Sequence, residues 1–253
     1  MENRGNTMKP RVQIVEHGKK SLTGYTLIEG FPGMGLVGTI AAKYIVERLE
    51  FREYGYIDSS VFIPIIRIHE GIPVYPSRIY INEGLKLLVL ISEQIIPRQY
   101  TDDFAQCVVQ WAKEKKISRM ISLAGINSQS AKEKNEVYGI AANAESLKEL
   151  QKHGIEIIKD GITTGITALI LLELKKSGIN AVSIMGNASF QADYKAAAAI
   201  IEKLNDLLGL KINVEPLLKE ARETEKVLLK QMDEMRKTGN TLQRVEDKTP
   251  MYT

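Results

Sequence analysis

The sequence predicts an α/β fold: a three-layer sandwich with a mostly parallel central sheet, followed by an amphipathic C-terminal helix and a flexible tail. Three observations predict it. Strand-like and helix-like segments alternate from residue 11 to residue 212, the pattern of parallel strands joined by crossover helices. The run from Leu85 to Ile91 is apolar with little alternation, as in a strand covered on both faces. The chain has 253 residues, 44% hydrophobic and 26% charged, which suits one large domain with appendages or two small ones, with a core that needs no metal or disulfide.

The elements follow from local pattern. Residues 1–10 are expected to be disordered. Val12-Gln13-Ile14-Val15 reads as a short strand, and Tyr25-Thr26-Leu27-Ile28 as a stronger one that runs into the turn Gly30-Phe31-Pro32-Gly33. A helix is expected from about Leu36 to Leu49, with Ile40, Ala41, Tyr44, Ile45 and Leu49 on one face. Val61 to Ile68 and Ile72 to Ile81 are β-rich runs around a His69-Glu70-Gly71 turn. Leu85 to Ile91 is the buried strand. Pro97 stands where a helix starts, and Tyr100, Phe104, Cys107, Val108 and Trp111 make one apolar stripe along it.

Arg119 to Ala124 is a further strand, and Gly125 to Lys134 a polar loop. Tyr138 to Ala142 is a strand, Ser146 to Lys152 a helix, and Ile155 to Ile158 a strand. Ile166 to Leu174 is apolar on nearly every side, which predicts a helix buried against the sheet. Ala181 to Met185 is the next strand, and an Ala-rich helix from Tyr194 to Leu208 is closed by Gly209.

Composition excludes several classes of function. A net charge of +3, with Lys and Arg interleaved among Glu and Asp, gives no basic stripe for nucleic acid. No apolar run approaches the ~20 residues of a membrane span, and the polar start Met1-Glu2-Asn3-Arg4-Gly5-Asn6 lacks a signal core. The single cysteine, Cys107, fits a reducing compartment. A cytoplasmic protein is expected. Cys107 lies on the apolar stripe and is read as a packed thiol.

The sharpest enzymatic motif is Gly33-Met34-Gly35-Leu36-Val37-Gly38, which matches G-x-G-x-x-G between a strand and a helix, with Asp58 about 20 residues on. It suggests a nucleotide- or dinucleotide-dependent enzyme with the pyrophosphate on the helix N-terminus. Two details oppose this: Phe31 and Pro32 intrude before the glycines, and Asp58 precedes the Val61 to Ile68 run instead of ending a second strand. A turn whose glycines let helix and sheet pack closely is the favoured reading. His17, His69 and His153 are scattered without metal-ligand spacing. Asp102-Asp103 suit the dipole and cap of a helix start. No nucleophile signature is present, and no catalytic residue, metal or cofactor is expected.

The C-terminal part differs. Pro216 lies in the first turn of a last helix and Gly239 follows its end. Leu218, Ala221, Glu225, Leu228, Met232 and Met235 step by three and four, which keeps one seam on one face. Packing back on its own domain and self-association are equal alternatives for it. A polar leash from Gly239 carries Pro250 and then Met251-Tyr252-Thr253: an apolar side chain, a phenol and a terminal carboxylate on consecutive residues. Such an ending is a peptide tag that a groove can grip.

Glu29-Gly30-Phe31-Pro32-Gly33-Met34-Gly35-Leu36-Val37-Gly38 resembles the signature segment of the proteasome assembly chaperone 2 family in its archaeal branch. Gly161-Ile162-Thr163-Thr164-Gly165, Asp193-Tyr194-Lys195-Ala196-Ala197 and the helix end at Leu207 to Leu210 extend the likeness over roughly residues 10 to 235. The resemblance implies an α/β sandwich without catalytic activity. It also implies a role for the tail, because proteasome activators end in a hydrophobic residue, then Tyr, then any residue. Met251, Tyr252 and Thr253 match these positions and would enter a pocket between neighbouring α-subunits of the proteasome core particle.

Leash and seam agree with that role. About 14 leash residues reach up to ~45–50 Å. A single tripeptide binds weakly, whereas several tails on one homo-oligomer, such as a tetramer, gain ~10²–10⁴ in avidity. The expected organisation is thus a disordered segment 1–10, an α/β core domain 11–212, an amphipathic helix 213–238 and a flexible tail 239–253. The expected function is a proteasome assembly chaperone or activator.

Overall fold

The computed structural model describes residues 12–60, 66–127, 137–188 and 192–221. The chain divides into two units, Met1–Ile212 and Asn213–Thr253.

Among the described residues, the first unit is built on a sheet of nine strands: β1 (Val12–Glu16), β2 (Thr26–Gly30), β3 (Arg52–Ser59), β6 (Ser77–Asn82), β7 (Leu87–Ser92), β8 (Arg119–Ile126), β9 (Val137–Ala141), β10 (Glu156–Ile157) and β11 (Asn180–Asn187). Two short strands, β4 (Arg67–His69) and β5 (Ile72–Val74), form a separate ribbon. The helices are α1 (Val37–Arg48), α2 (Thr101–Glu114), α3 (Ala144–Lys152), α4 (Ile166–Ser177) and α5 (Tyr194–Leu208). The sheet order is β1-β3-β6-β7-β2-β8-β11-β9-β10. Its centre, β7-β2-β8-β11, is parallel. Antiparallel pairs flank it, β6, β3 and β1 on one side and β9 on the other. The α/β class holds, with the parallel pairing concentrated in the middle.

Composition explains the centre. β7 is Leu87-Leu88-Val89-Leu90-Ile91-Ser92 and buried at every position, because helices cover both of its faces. On one face Leu27, Leu88, Leu90 and Met120 pack with Phe104, Val108, Ile170 and Leu174 of α2 and α4. On the other, α1 and α5 approach closely through small residues: Ala41 and Ala42 on α1, and Ala196, Ala197 and Ala198 on α5, all buried. Helix ends follow local chemistry. Asn143 caps α3, its side-chain oxygen accepting from the Ser146 N–H at 2.9 Å. Gly178 and Gly209 end α4 and α5 in the left-handed conformation.

Several expectations are corrected. β3 was not expected: Arg52-Glu53-Tyr54-Gly55-Tyr56 carries charge and glycine, and its strand form comes from pairing on both sides with β1 and β6. The His69-Glu70-Gly71 turn is present, with φ of 49° at Glu70 and 79° at Gly71. The second expected run is split into β5 and β6, with Pro76 between them, since proline removes a ladder donor. Val61 to Ile65 lies outside the described residues. β8 continues through Gly125 to Ile126, the first two residues of the expected loop; residues 128–134 of that loop lie outside the described residues. α4 is not buried all round, because Leu172 is 50% exposed. Asp102 and Asp103 sit in the first turn of α2 but supply no side-chain cap bond; both interact favourably with the helix dipole, and Asp102 also accepts from the Gln106 side chain at 2.9 Å.

In the second unit the Asn213 side chain accepts from the Glu215 N–H at 3.0 Å, and residues 215–221 are helical. The rest of the expected seam and the leash lie outside the described residues.

Candidate functional site

Two candidate sites come from the sequence, the tail and the glycine turn. Met251, Tyr252 and Thr253 lie outside the described residues, so geometry bears only on the turn.

The turn is a joint between three elements. β2 ends at Gly30, Gly33 is extended, a single 3-10 turn spans Met34–Leu36, and α1 begins at Val37. Gly35 and Leu36 are both left-handed, with φ of 61° and 51°. Close approach accounts for three glycines. A Cβ on Gly30 would lie 2.2 Å from the Gly38 carbonyl oxygen. One on Gly38 would lie 2.1 Å from the Leu123 carbonyl oxygen of β8, and one on Gly125 would lie 2.0 Å from the Met34 carbonyl oxygen. The first turn of α1 is thus pressed onto β2 and β8 at backbone contact. The N–H of Asp193, just before α5, donates to the Gly35 carbonyl at 2.8 Å and ties the second helix of this face to the joint.

This geometry does not assemble a dinucleotide fingerprint. Gly38 meets a carbonyl oxygen of the sheet, a partial negative charge on the side of the helix start. The acid expected on the ribose, Asp58, lies on β3, separated from β2 by β6 and β7, and it accepts a hydrogen bond from the Gln13 side chain at 3.0 Å. At ~4.8 Å per strand it stands ~14 Å from β2 in the sheet direction. Phe31, which lengthens the turn, is core: it is buried and meets Phe104 edge-on, with ring centroids 6.1 Å apart.

Cys107 is half-buried, its Sγ lies 3.5 Å from the Val12 carbonyl oxygen, and burial pushes the thiol up. His17 pairs with Glu53 at 3.0 Å. His69 is exposed beside the β4–β5 turn, and His153 follows the last turn of α3. Among the described residues no group of His, Cys, Asp or Glu is arranged to hold a metal. No described helix is long and apolar enough to cross a membrane.

Glu29 was not anticipated as a special residue, although it stands in the otherwise apolar strand Thr26-Leu27-Ile28-Glu29-Gly30. It is fully buried, next to Ser122 of β8 in register, and Ser122 is next to Ser183 of β11. The carboxyl oxygens of Glu29 and the hydroxyls of both serines lack a well-aligned hydrogen bond. Burial raises the Glu29 pKa to about 7, while the nearby Ser122 and Thr167 hydroxyls and the Phe31 backbone favour the anion less strongly. The signal in the sequence was a carboxylate at an inward position of a central strand.

Comparison with known proteins agrees with this architecture. The family model of the PAC2 family matches residues 27–232. The uncharacterized protein MJ0106 of Methanocaldococcus jannaschii is 32% identical over 238 residues, covering 91% of this chain and 98% of that protein. The crystal structure of Pyrococcus furiosus PbaA, an archaeal homolog of proteasome-assembly chaperone, is similar with a TM-score of 0.81 and 33% identity, over 96% of this chain and 99% of that one. Pyrococcus furiosus PbaB, an archaeal proteasome activator, shares the fold at a TM-score of 0.76 and 21% identity, over 87% of this chain and 98% of that one.

Proposed function

The chain belongs to the PAC2 family, and from that premise we propose that it binds the proteasome core particle as a non-enzymatic assembly chaperone or activator. The observation that carries the reading is the 33% identity to PbaA, an archaeal homolog of proteasome-assembly chaperone, along nearly the whole length of both chains. The closed glycine joint supports it from the other side, because the sharpest enzymatic motif in the sequence is occupied by its own packing.

Met251, Tyr252 and Thr253 are the contact residues of this reading. The terminal carboxylate pairs with a cation of the α-subunit pocket, the Tyr252 ring hydrogen-bonds and stacks at its rim, and Met251 fills its apolar part. Each tail binds weakly, because ordering the leash costs entropy. The homo-oligomer makes the contact effective by holding several tails over one ring.

Co-sedimentation with the core particle tests the reading. The full chain is expected to co-sediment, and the chain lacking Met251 to Thr253 to stay in the supernatant with an unchanged circular dichroism spectrum. Equal binding by both forms refutes docking through the tail. One residue added after Thr253 is expected to weaken binding at least tenfold, because it displaces the carboxylate. Tyr252→Ala is expected to abolish any stimulation of peptide hydrolysis.

A further inference from the structure

Glu29, Ser122 and Ser183 form a polar row across three central strands. Leu27, Met120 and Ala181 belong to the core under α2 and α4, and period two carries Glu29, Ser122 and Ser183 to the same face. The register sets them side by side, Glu29 opposite Ser122 and Ser122 opposite Ser183. Leu90 of β7 and Ile140 of β9 bound the row. All three polar residues are buried.

The start of α4 covers the Glu29 carboxyl. Thr167, in the first turn, brings its hydroxyl to the carboxyl and favours the anion. That turn is weakly held. Gly165 precedes it with φ of 91°, and no side chain supplies a cap bond, so its N–H groups have no partner within the helix. Ile166 and Thr167 are β-branched, which lowers helix propensity. The chain before the turn is anchored at Ile158, whose N–H donates to the Gly139 carbonyl at 3.1 Å. From Lys159 to Gly165 every residue is exposed, Ile162 at 96%. An exposed loop therefore leads into an uncapped turn, and that turn lies over a fully buried carboxyl. Lifting it costs the burial of Ile166, while Ile170, Leu171 and Leu174 keep the rest of α4 on the sheet.

We propose that residues 159–167 are a strap over Glu29 that lifts locally, with the sheet intact, when the carboxyl ionises. The closed strap keeps the carboxyl dry and holds its pKa at about 7, whereas a lifted strap wets it and returns it toward 4.5. Below pH 4.5 both forms keep the proton, and opening does not depend on pH. Between pH 4.5 and 7 only the lifted form releases it, so the open fraction rises by up to about tenfold per pH unit, about 300-fold in all. Above pH 7 both forms are ionised and the fraction is level. The charged groups on the surrounding elements stand apart from the carboxyl. On β8, Arg119 pairs with Glu149. On α2, Asp102 and Asp103 lie in the first turn and Lys113 and Glu114 in the last. Glu173, Lys175 and Lys176 lie toward the end of α4, and Lys159 and Asp160 are exposed in the loop itself. Burial, the two hydroxyls of Ser122 and Thr167 and the Phe31 backbone set the Glu29 pKa, with no charged side chain among them.

Amide hydrogen exchange of the full-length chain tests it, with rates corrected for the intrinsic effect of pH. The Leu169 N–H donates to the Gly165 carbonyl at 3.3 Å, so lifting the strap frees it. Its protection is expected to fall at least about tenfold between pH 5 and pH 7.5 and to be insensitive to low urea. The amides of β7 are expected to stay more protected at every pH, since they exchange only when the sheet opens. Glu29→Gln is expected to give Leu169 the same protection at both pH values, with unchanged circular dichroism. Wild-type protection of Leu169 that is equal at pH 5 and 7.5 overturns the proposal without need of the variant. A glutamine chain that keeps the wild-type slope overturns it too. So does a Leu169 amide that matches β7 in protection and in urea dependence, because the opening is then global.

Discussion

The joint of β2, α1 and β8 and the ribbon of β4 and β5 treat space in opposite ways. At the joint no room is left for even a methyl group on Gly30, Gly38 or Gly125. On the ribbon, isoleucines stand about two-thirds exposed. The joint carries the motif that reads as a ligand site, and it is closed by backbone. The ribbon carries an ordinary turn and exposes apolar side chains to water. In this protein the conspicuous glycines serve packing, while the isoleucines of the ribbon are left in water.

The largest expected effect breaks the joint. Gly38→Ala places a Cβ 2.1 Å from the Leu123 carbonyl oxygen, and neither backbone can yield without moving α1 from the sheet. We expect a loss of about 3 to 4 kcal/mol, seen as a fall of roughly 6–16 °C in the thermal midpoint. Gly33→Ala, in the same motif, has nothing within 4 Å and an extended backbone, and is expected to change stability by less than about 0.5 kcal/mol. Equal effects of the two changes would contradict the packing account.

That contrast also marks what the sequence could convey. β2, β7, α2, β8 and α5 were legible because their apolar patterns are local and their ends carry Pro or Gly signals. The presence of close-packing glycines was legible too, but not their partners: Gly125 meets Met34 across some ninety positions of chain, and no local pattern encodes that. β3 was hidden because Arg52, Glu53 and Gly55 argue against a strand, and only its neighbours in the sheet make it one. The open face of the ribbon was likewise hidden, since alternation cannot say whether a face is covered. Glu29 was visible as an anomaly in an apolar strand, but its consequence depends on complete burial.

Glu29 gives the middle effect. Its folded pKa, about 7, is above the ordinary value of 4.5. The folded chain therefore keeps the proton between pH 4.5 and 7 while the unfolded chain releases it. On this account stability is highest below pH 4.5, falls across that window, and is level above pH 7. The full penalty is about 3 kcal/mol. Glu29→Gln keeps the shape without the charge, so it is expected to abolish this component of the pH dependence and to be more stable than the wild type at pH 8. Urea titrations at pH 5 and pH 8 measure both. A glutamine variant with the wild-type slope would show that Glu29 does not titrate in that window.

The smallest expected effect is on the ribbon. Ile72 is 63% exposed. Removing apolar atoms already in water costs little, so Ile72→Thr should change folding stability by less than about 0.5 kcal/mol, whereas Gly38→Ala is expected to cost several times as much. Urea titration of the two variants under matched conditions measures both. A loss for Ile72→Thr as large as that for Gly38→Ala would mean that the ribbon is packed against the rest of the chain and not open to water.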